Sequence, residues 1–234
     1  MKNPLHILFL LLLIIPLLSF SPYKPIVHGT LLKDTALYHS LKEENKNVEM
    51  LKEIIVLPEE EFDSFEATEM VLTLANIDRK ILKKIVDEGI IVKFFTGKLT
   101  DEPSASYLRG LTPRGYFPGA TWDNVPGLGG DRVVLVKIGH SEYGKGHGSV
   151  NLELHEIAHS IDRLVFDGIR TSEEFIQIWR EEAPVLFPEN YYFIEYPEEY
   201  FAEAFALYYI RDDTREYLRS VAPKTFQYIR NLEK

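Results

Sequence analysis

The sequence predicts an α+β fold, mostly helical with a small β-sheet. Apolar residues recur at helical spacing in several capped segments, and two short runs are rich in β-branched and aromatic residues. The chain has 234 residues, 45% hydrophobic and 26% charged, which suits one sizeable domain or two small lobes. A net charge of -10 with no basic stripe argues against nucleic acid as a partner. There are no cysteines, so disulfides and thiolate chemistry are excluded, and a metal would have to be held by His, Asp or Glu. No internal repeat or low-complexity tract interrupts the chain.

In chain order, Lys2 precedes an apolar run from Ile7 to Leu18 broken only by Pro16. That pattern reads as a secretory signal peptide over residues 1–21, with cleavage after Ser21; an uncleaved N-terminal anchor is the alternative. The run is short for a membrane span, and no second run of spanning length follows. Residues 22–50 read as an N-terminal arm with one helix around Leu37 to Leu41. A helix is expected between Glu59 and Leu74. Ile77, Ile81, Leu82 and Ile85 define the next, capped by Asn76 or Asp78 and stopped by Gly89. Ile90 to Phe95 and Arg132 to Ile138 are strands by content. Between them, Gly97 to Gly130 reads as a long irregular segment with four prolines, and loops of that length are usually functional.

Ser149 is the expected N-cap of the following helix, with Gly168 just past its end. Leu152, Leu154, Ile157, Ala158 and Ile161 give that helix a buried character. It contains the H-E-x-x-H motif His155-Glu156-Ile157-Ala158-His159. Residues four apart share a helix face, so His155 and His159 are placed to grip one metal ion, with Glu156 beside it as a base. His147, in the glycine-rich loop before the motif, reads as a loop histidine. Thr171 with Glu174 makes a capping box for a helix to about Glu182. Pro184 to Tyr196 is an aromatic loop, and Pro197 opens another helix. In that helix Glu199 and Glu203 share a face amid Phe201, Ala202 and Phe205. Such a buried acidic pair needs a positive or hydrogen-bonding partner, so a third metal ligand is sought there. Asp212 or Asp213 and then Pro223 begin the last two helices.

The blocks Leu154 to Asp162, Tyr196 to Glu203 and Ala222 to Ile229 resemble the catalytic domain of anthrax lethal factor. Together with Thr112 to Tyr116 and Thr121 to Gly130, they are still more similar to the bacterial secreted Pro-Pro endopeptidases. The resemblance runs from about Ile90 to the C-terminus. It implies a zincin-like, two-lobed zinc metalloprotease domain over 51–234, with lobes of about 51–148 and 149–234. It implies one zinc per chain held by His155, His159 and Glu199, with Glu156 as general base and Glu203 orienting a zinc histidine. It also implies a catalytic tyrosine seven residues before the ligand glutamate. That is Tyr192, with Tyr191 as the alternative should the loop shift by one. Trp122 would line the substrate cleft. Glu198 would touch substrate or else be an exposed first-turn charge. The implied function is a secreted zinc metalloendopeptidase acting on Pro-Pro bonds of proline-rich surface or extracellular proteins. Two alternatives stand beside it: a lethal-factor-like toxin protease cutting host signalling proteins, and a catalytically silent binding module. The intact Glu156 argues against the second.

Overall fold

The structure is a computed structural model and describes residues 27–43, 45–116 and 119–234. The expected signal peptide lies outside these residues. Among the described residues five strands form one mixed sheet: β1 (Thr30–Leu31), β2 (Ile55–Leu57), β3 (Ile91–Phe95), β4 (Gly127–Leu128) and β5 (Val133–Lys137). Their spatial order is β1-β2-β3-β5-β4, with β2, β3 and β5 parallel and the two edge strands antiparallel. Only β3 and β5 are legible from composition. The others are two or three residues long and exist by pairing. Thr30 pairs with Leu57, so the segment read as an arm is an integral edge of the sheet, and Ala36–Leu41 forms the expected helix α1.

Alternation along β3 explains how the sheet is covered. Val92 and Phe94 point into the main core, built with the helices α2 (Val48–Leu51), α3 (Ser64–Leu74) and α4 (Arg79–Asp87). Phe95 points the other way, into a small second cluster with Leu99, Ala105 and Leu135. The 3-10 turns of the Leu99–Leu108 segment, which read as irregular, therefore cover the second face of the sheet. Asp78 caps α4 by accepting the Lys80 N–H at 2.8 Å.

The second half of the chain is helical. The motif helix α5 (Leu152–Ser160) is capped by Asn151, whose Oδ1 accepts the Leu154 N–H at 2.9 Å. Ser149 is not the cap; its hydroxyl donates to the Asn151 carbonyl at 3.0 Å. Beyond Ser160 the helix widens into one π-helical turn, Ile161–Val165, and Gly168 ends it with φ of 90°. A left-handed φ carries no steric penalty there for a residue without Cβ. The next helix, α6 (Glu173–Leu186), is capped by Ser172 rather than Thr171 and runs past Pro184, longer than expected. A short α7 (Tyr191–Glu195) lies inside the stretch read as a loop.

The central helix α8 (Pro197–Ile210) is buried from Glu199 to Tyr209 and packs along α5. It is followed by α9 (Asp212–Val221) and α10 (Pro223–Leu232). Glu182 on α6 locks this bundle from below. Its carboxylate accepts the N–H groups of Lys224 at 2.9 Å and Thr225 at 2.8 Å, and the Thr225 hydroxyl at 2.7 Å. Those amides are orphan donors at the start of α10, where negative charge is favoured. Thr225 also hydrogen-bonds the Tyr200 hydroxyl at 2.7 Å, which ties the cap to the helix carrying Glu199. Among the described residues no helix is long and apolar enough to cross a membrane.

Candidate active site

Packing α5 against α8 brings three acceptor atoms to one point. His155 Nε2 lies 3.2 Å from His159 Nε2 and 3.3 Å from Glu199 Oε2, and His159 Nε2 lies 3.4 Å from the same oxygen. Atoms about 2.0–2.1 Å from a tetrahedral zinc stand about 3.3–3.4 Å from one another, so the three fit one ion. The donor set also fits chemically. The ring nitrogens point lone pairs at a carboxylate and at each other, an arrangement that needs a cation in its middle.

The remaining groups keep those lone pairs aimed. Glu203 Oε2 accepts the His155 Nδ1–H at 3.2 Å, and Glu203 Oε1 accepts the Val150 N–H at 2.8 Å. Glu203 thereby fixes the ring so that Nε2 is the free nitrogen. Burial opposes charge on His155, yet the Glu199 and Glu203 carboxylates raise its pKa above the ordinary histidine range. Burial likewise opposes charge on Glu199, yet the two imidazoles hold its pKa well below the usual carboxylate range. Both directions express one fact: this pocket favours positive charge at its centre.

The second oxygen of Glu199 is held from two sides. Oε1 accepts the Tyr192 hydroxyl at 2.9 Å and the Arg114 guanidinium at 3.0 Å. Arg114 also pairs with Glu198 at 3.0 Å and sits 3.9 Å from the Tyr196 ring centroid. Of the two adjacent tyrosines, Tyr192 faces the site, while Tyr191 is 75% exposed. Glu198 lines the cleft with its carboxylate engaged by Arg114. Trp122 lines it too, half-buried against the second cluster beside Leu128 and Val133. His147 is a half-buried loop anchor. Its Nδ1 accepts the Ser149 N–H at 3.2 Å, which leaves Nε2–H to donate to the His140 carbonyl at 2.7 Å.

Glu156 lies on the cleft side of α5, in contact with the edge strand β4. The fit is close enough to admit only glycine. A Cβ at Gly127 would stand 2.6 Å from Glu156 Oε1, and one at Gly129 would stand 2.0 Å from the Glu156 carbonyl oxygen. Burial raises the Glu156 pKa, while the histidines and the Gly129 N–H oppose that rise. Gly129→Ala should therefore cost about 1–3 kcal/mol by overpacking against backbone. That loss is read as a lower denaturant midpoint with an unchanged m-value. A midpoint equal to wild type would show that the strand does not press on the helix.

These groups line a cleft of about 900 Å³. Arg114, Tyr116, Gly127 and Gly129 also line it; they fall in the loop blocks that carry the resemblance, but the sequence assigns none of them a role of its own. Tyr116 lies within electrostatic reach of Glu156 and Glu199. The available signal was the Pro-Arg-Gly-Tyr turn and the Gly-Leu-Gly run, each placing polar or aromatic groups beside residues that permit close backbone approach.

Residues 40–232 match the family model described as anthrax toxin lethal factor, N- and C-terminal domain. The chain is similar to a Pro-Pro endopeptidase of Clostridioides difficile (strain 630), 46% identical over 190 residues, or 81% of this chain and 86% of that protein. It is similar to a Pro-Pro endopeptidase of Paenibacillus alvei, 43% identical over 184 residues, or 78% of this chain and 84% of that protein. A solved structure of the Paenibacillus alvei Pro-Pro endopeptidase matches with a TM-score of 0.74 and 43% identity, covering 78% of this chain and 99% of that one.

Proposed function

The chain belongs to the anthrax toxin lethal factor family, and from that membership and the site geometry we propose a secreted zinc metalloendopeptidase that cuts Pro-Pro bonds in proline-rich surface or extracellular proteins. The observation that carries it is the convergence of His155 Nε2, His159 Nε2 and Glu199 Oε2 within 3.2–3.4 Å, beside a half-buried Glu156. Secretion is supported by the apolar run from Ile7 to Leu18 behind Lys2.

His155, His159 and Glu199 would hold the zinc, which when bound would supply a Lewis acid to polarise a carbonyl and lower the pKa of water. The other work falls to side chains of this chain. Glu156, whose carboxyl pKa desolvation raises, takes the proton of the attacking water and returns it to the leaving nitrogen. Glu203 holds His155 in one tautomer. Arg114 and Tyr192 hold Glu199, and the Tyr192 hydroxyl is the donor we assign to the developing oxyanion.

A Pro-Pro bond has no scissile N–H, and its neighbours favour an extended polyproline conformation. Aromatic walls suit such a chain, and Tyr116, Trp122 and Tyr192 supply them. The test is a peptide library varied around Pro-Pro, digested with purified protein and read by mass spectrometry. Cleavage between the prolines, abolished by chelator and restored by zinc, is the expected result. Cutting elsewhere, or full activity in chelator, overturns the reading.

A further inference from the structure

Arg114 reaches Glu199 from a loop 85 residues away in sequence, so something must set where that loop points. The loop leaves the second face of the sheet at Gly110 and returns at Asp123. Its neck is closed by two bonds: the Trp122 N–H donates to the Leu111 carbonyl at 2.9 Å, and the Gly110 N–H donates to Asp123 Oδ2 at 2.9 Å. The other oxygen of Asp123 accepts the hydroxyl of Thr100 at 2.8 Å. Thr100 is fully buried and next to Leu99 of the second cluster, and its carbonyl accepts the Arg109 guanidinium at 2.7 Å. One carboxylate thus ties both ends of the loop to the floor of the fold.

From that neck the chain runs directly to the site. Arg114 meets Glu198 and Glu199, and Gly115, with φ of 81°, sits so close to the Tyr192 ring that a Cβ there would stand 3.0 Å from it. We propose that Asp123 is a positioning residue that closes the neck of this loop so that Arg114 bears on the outer oxygen of Glu199. Asp123 makes no contact with the cleft. It acts through Arg114, which acts on a metal-ligand carboxylate, and partners of that kind govern metal affinity. The inference rests on the zinc reading of the site.

The experiment is a competition titration of zinc against a chromophoric chelator, run on wild type, Asp123→Ala, Asp123→Asn, Arg114→Ala and the double variant Asp123→Ala/Arg114→Ala. Arg114→Ala should weaken zinc binding by about 10–100-fold, the scale for a lost ligand-orienting partner, and Asp123→Ala should show a substantial part of that loss. Asparagine keeps an oxygen for the Gly110 N–H and offers its amide to the Thr100 hydroxyl, so Asp123→Asn should restore affinity. In the Arg114→Ala background, Asp123→Ala should add little, because groups acting through one contact are not additive.

A merely structural Asp123 would lower the melting temperature without this dependence on Arg114. Should Asp123→Ala fail to fold, Thr100→Val removes a single bond of the same staple and takes its place. Zinc affinity indifferent to the staple, or an equal loss with and without Arg114, overturns the inference alone. A wild-type protein that binds no zinc overturns the site reading and this inference with it.

Discussion

Glu156→Gln should retain fold and bound zinc while kcat drops by about 100–10,000-fold, the contribution of a positioned general base. Glutamine keeps the shape that Gly127 and Gly129 have been cleared to receive, so the change removes a proton acceptor and no volume. The residue does not belong to the converging set of His155, His159 and Glu199, so metal stoichiometry should stay at one per chain. Paired measurements of kcat and metal content decide the matter. Turnover close to wild type in Glu156→Gln would remove the residue from the reaction. Loss of metal together with turnover would make it a ligand instead.

The candidate metal triad was legible in part, the histidine pair from its spacing and Glu199, rather than Glu203, from the family resemblance. His155 and His159 must be four apart to share a helix face, and a buried Glu199 amid Phe201 and Ala202 needs a reason to be there. The caps were less legible. Ser149, Asn151, Thr171 and Ser172 are all competent N-caps by type. What excludes Ser149 is tertiary: the Leu152 N–H, which a cap at Ser149 would hold, donates instead to the Ser141 carbonyl at 3.0 Å, so the helix begins two residues later, behind Asn151. The strand β4 could not be read at all. Gly127–Leu128 is too short to alternate, and it is defined by pairing with β5 on one side and by pressing on Glu156 on the other. Arg114 was equally hidden, since no local pattern links a loop arginine to a carboxylate on a distant helix.

Tyr192→Phe should lower kcat by about 100–1,000-fold, the usual loss for one oxyanion donor. KM and zinc content should stay near wild type. Tyr192 precedes Glu199 by one short helix and a turn, and its hydroxyl already stands in the site, donating to Glu199 Oε1 at 2.9 Å. Burial and the Glu199 carboxylate push its pKa up, so it remains a protonated donor at neutral pH. Arg114 donates to the same oxygen, which leaves the carboxylate oriented when the tyrosine hydroxyl turns toward substrate or is deleted. Two roles are therefore separable. If the hydroxyl serves only to steady Glu199, Tyr192→Phe will weaken zinc binding and leave kcat intact at saturating zinc. If it stabilises the oxyanion, kcat falls with zinc bound. Tyr191→Phe is the internal control: that ring is 75% exposed and turned from the cleft, so its hydroxyl should contribute nothing to either measurement. A loss of less than about threefold in kcat for Tyr192→Phe, far below the scale of an oxyanion donor, with zinc affinity also unchanged, would assign the residue to packing around the ligand helix.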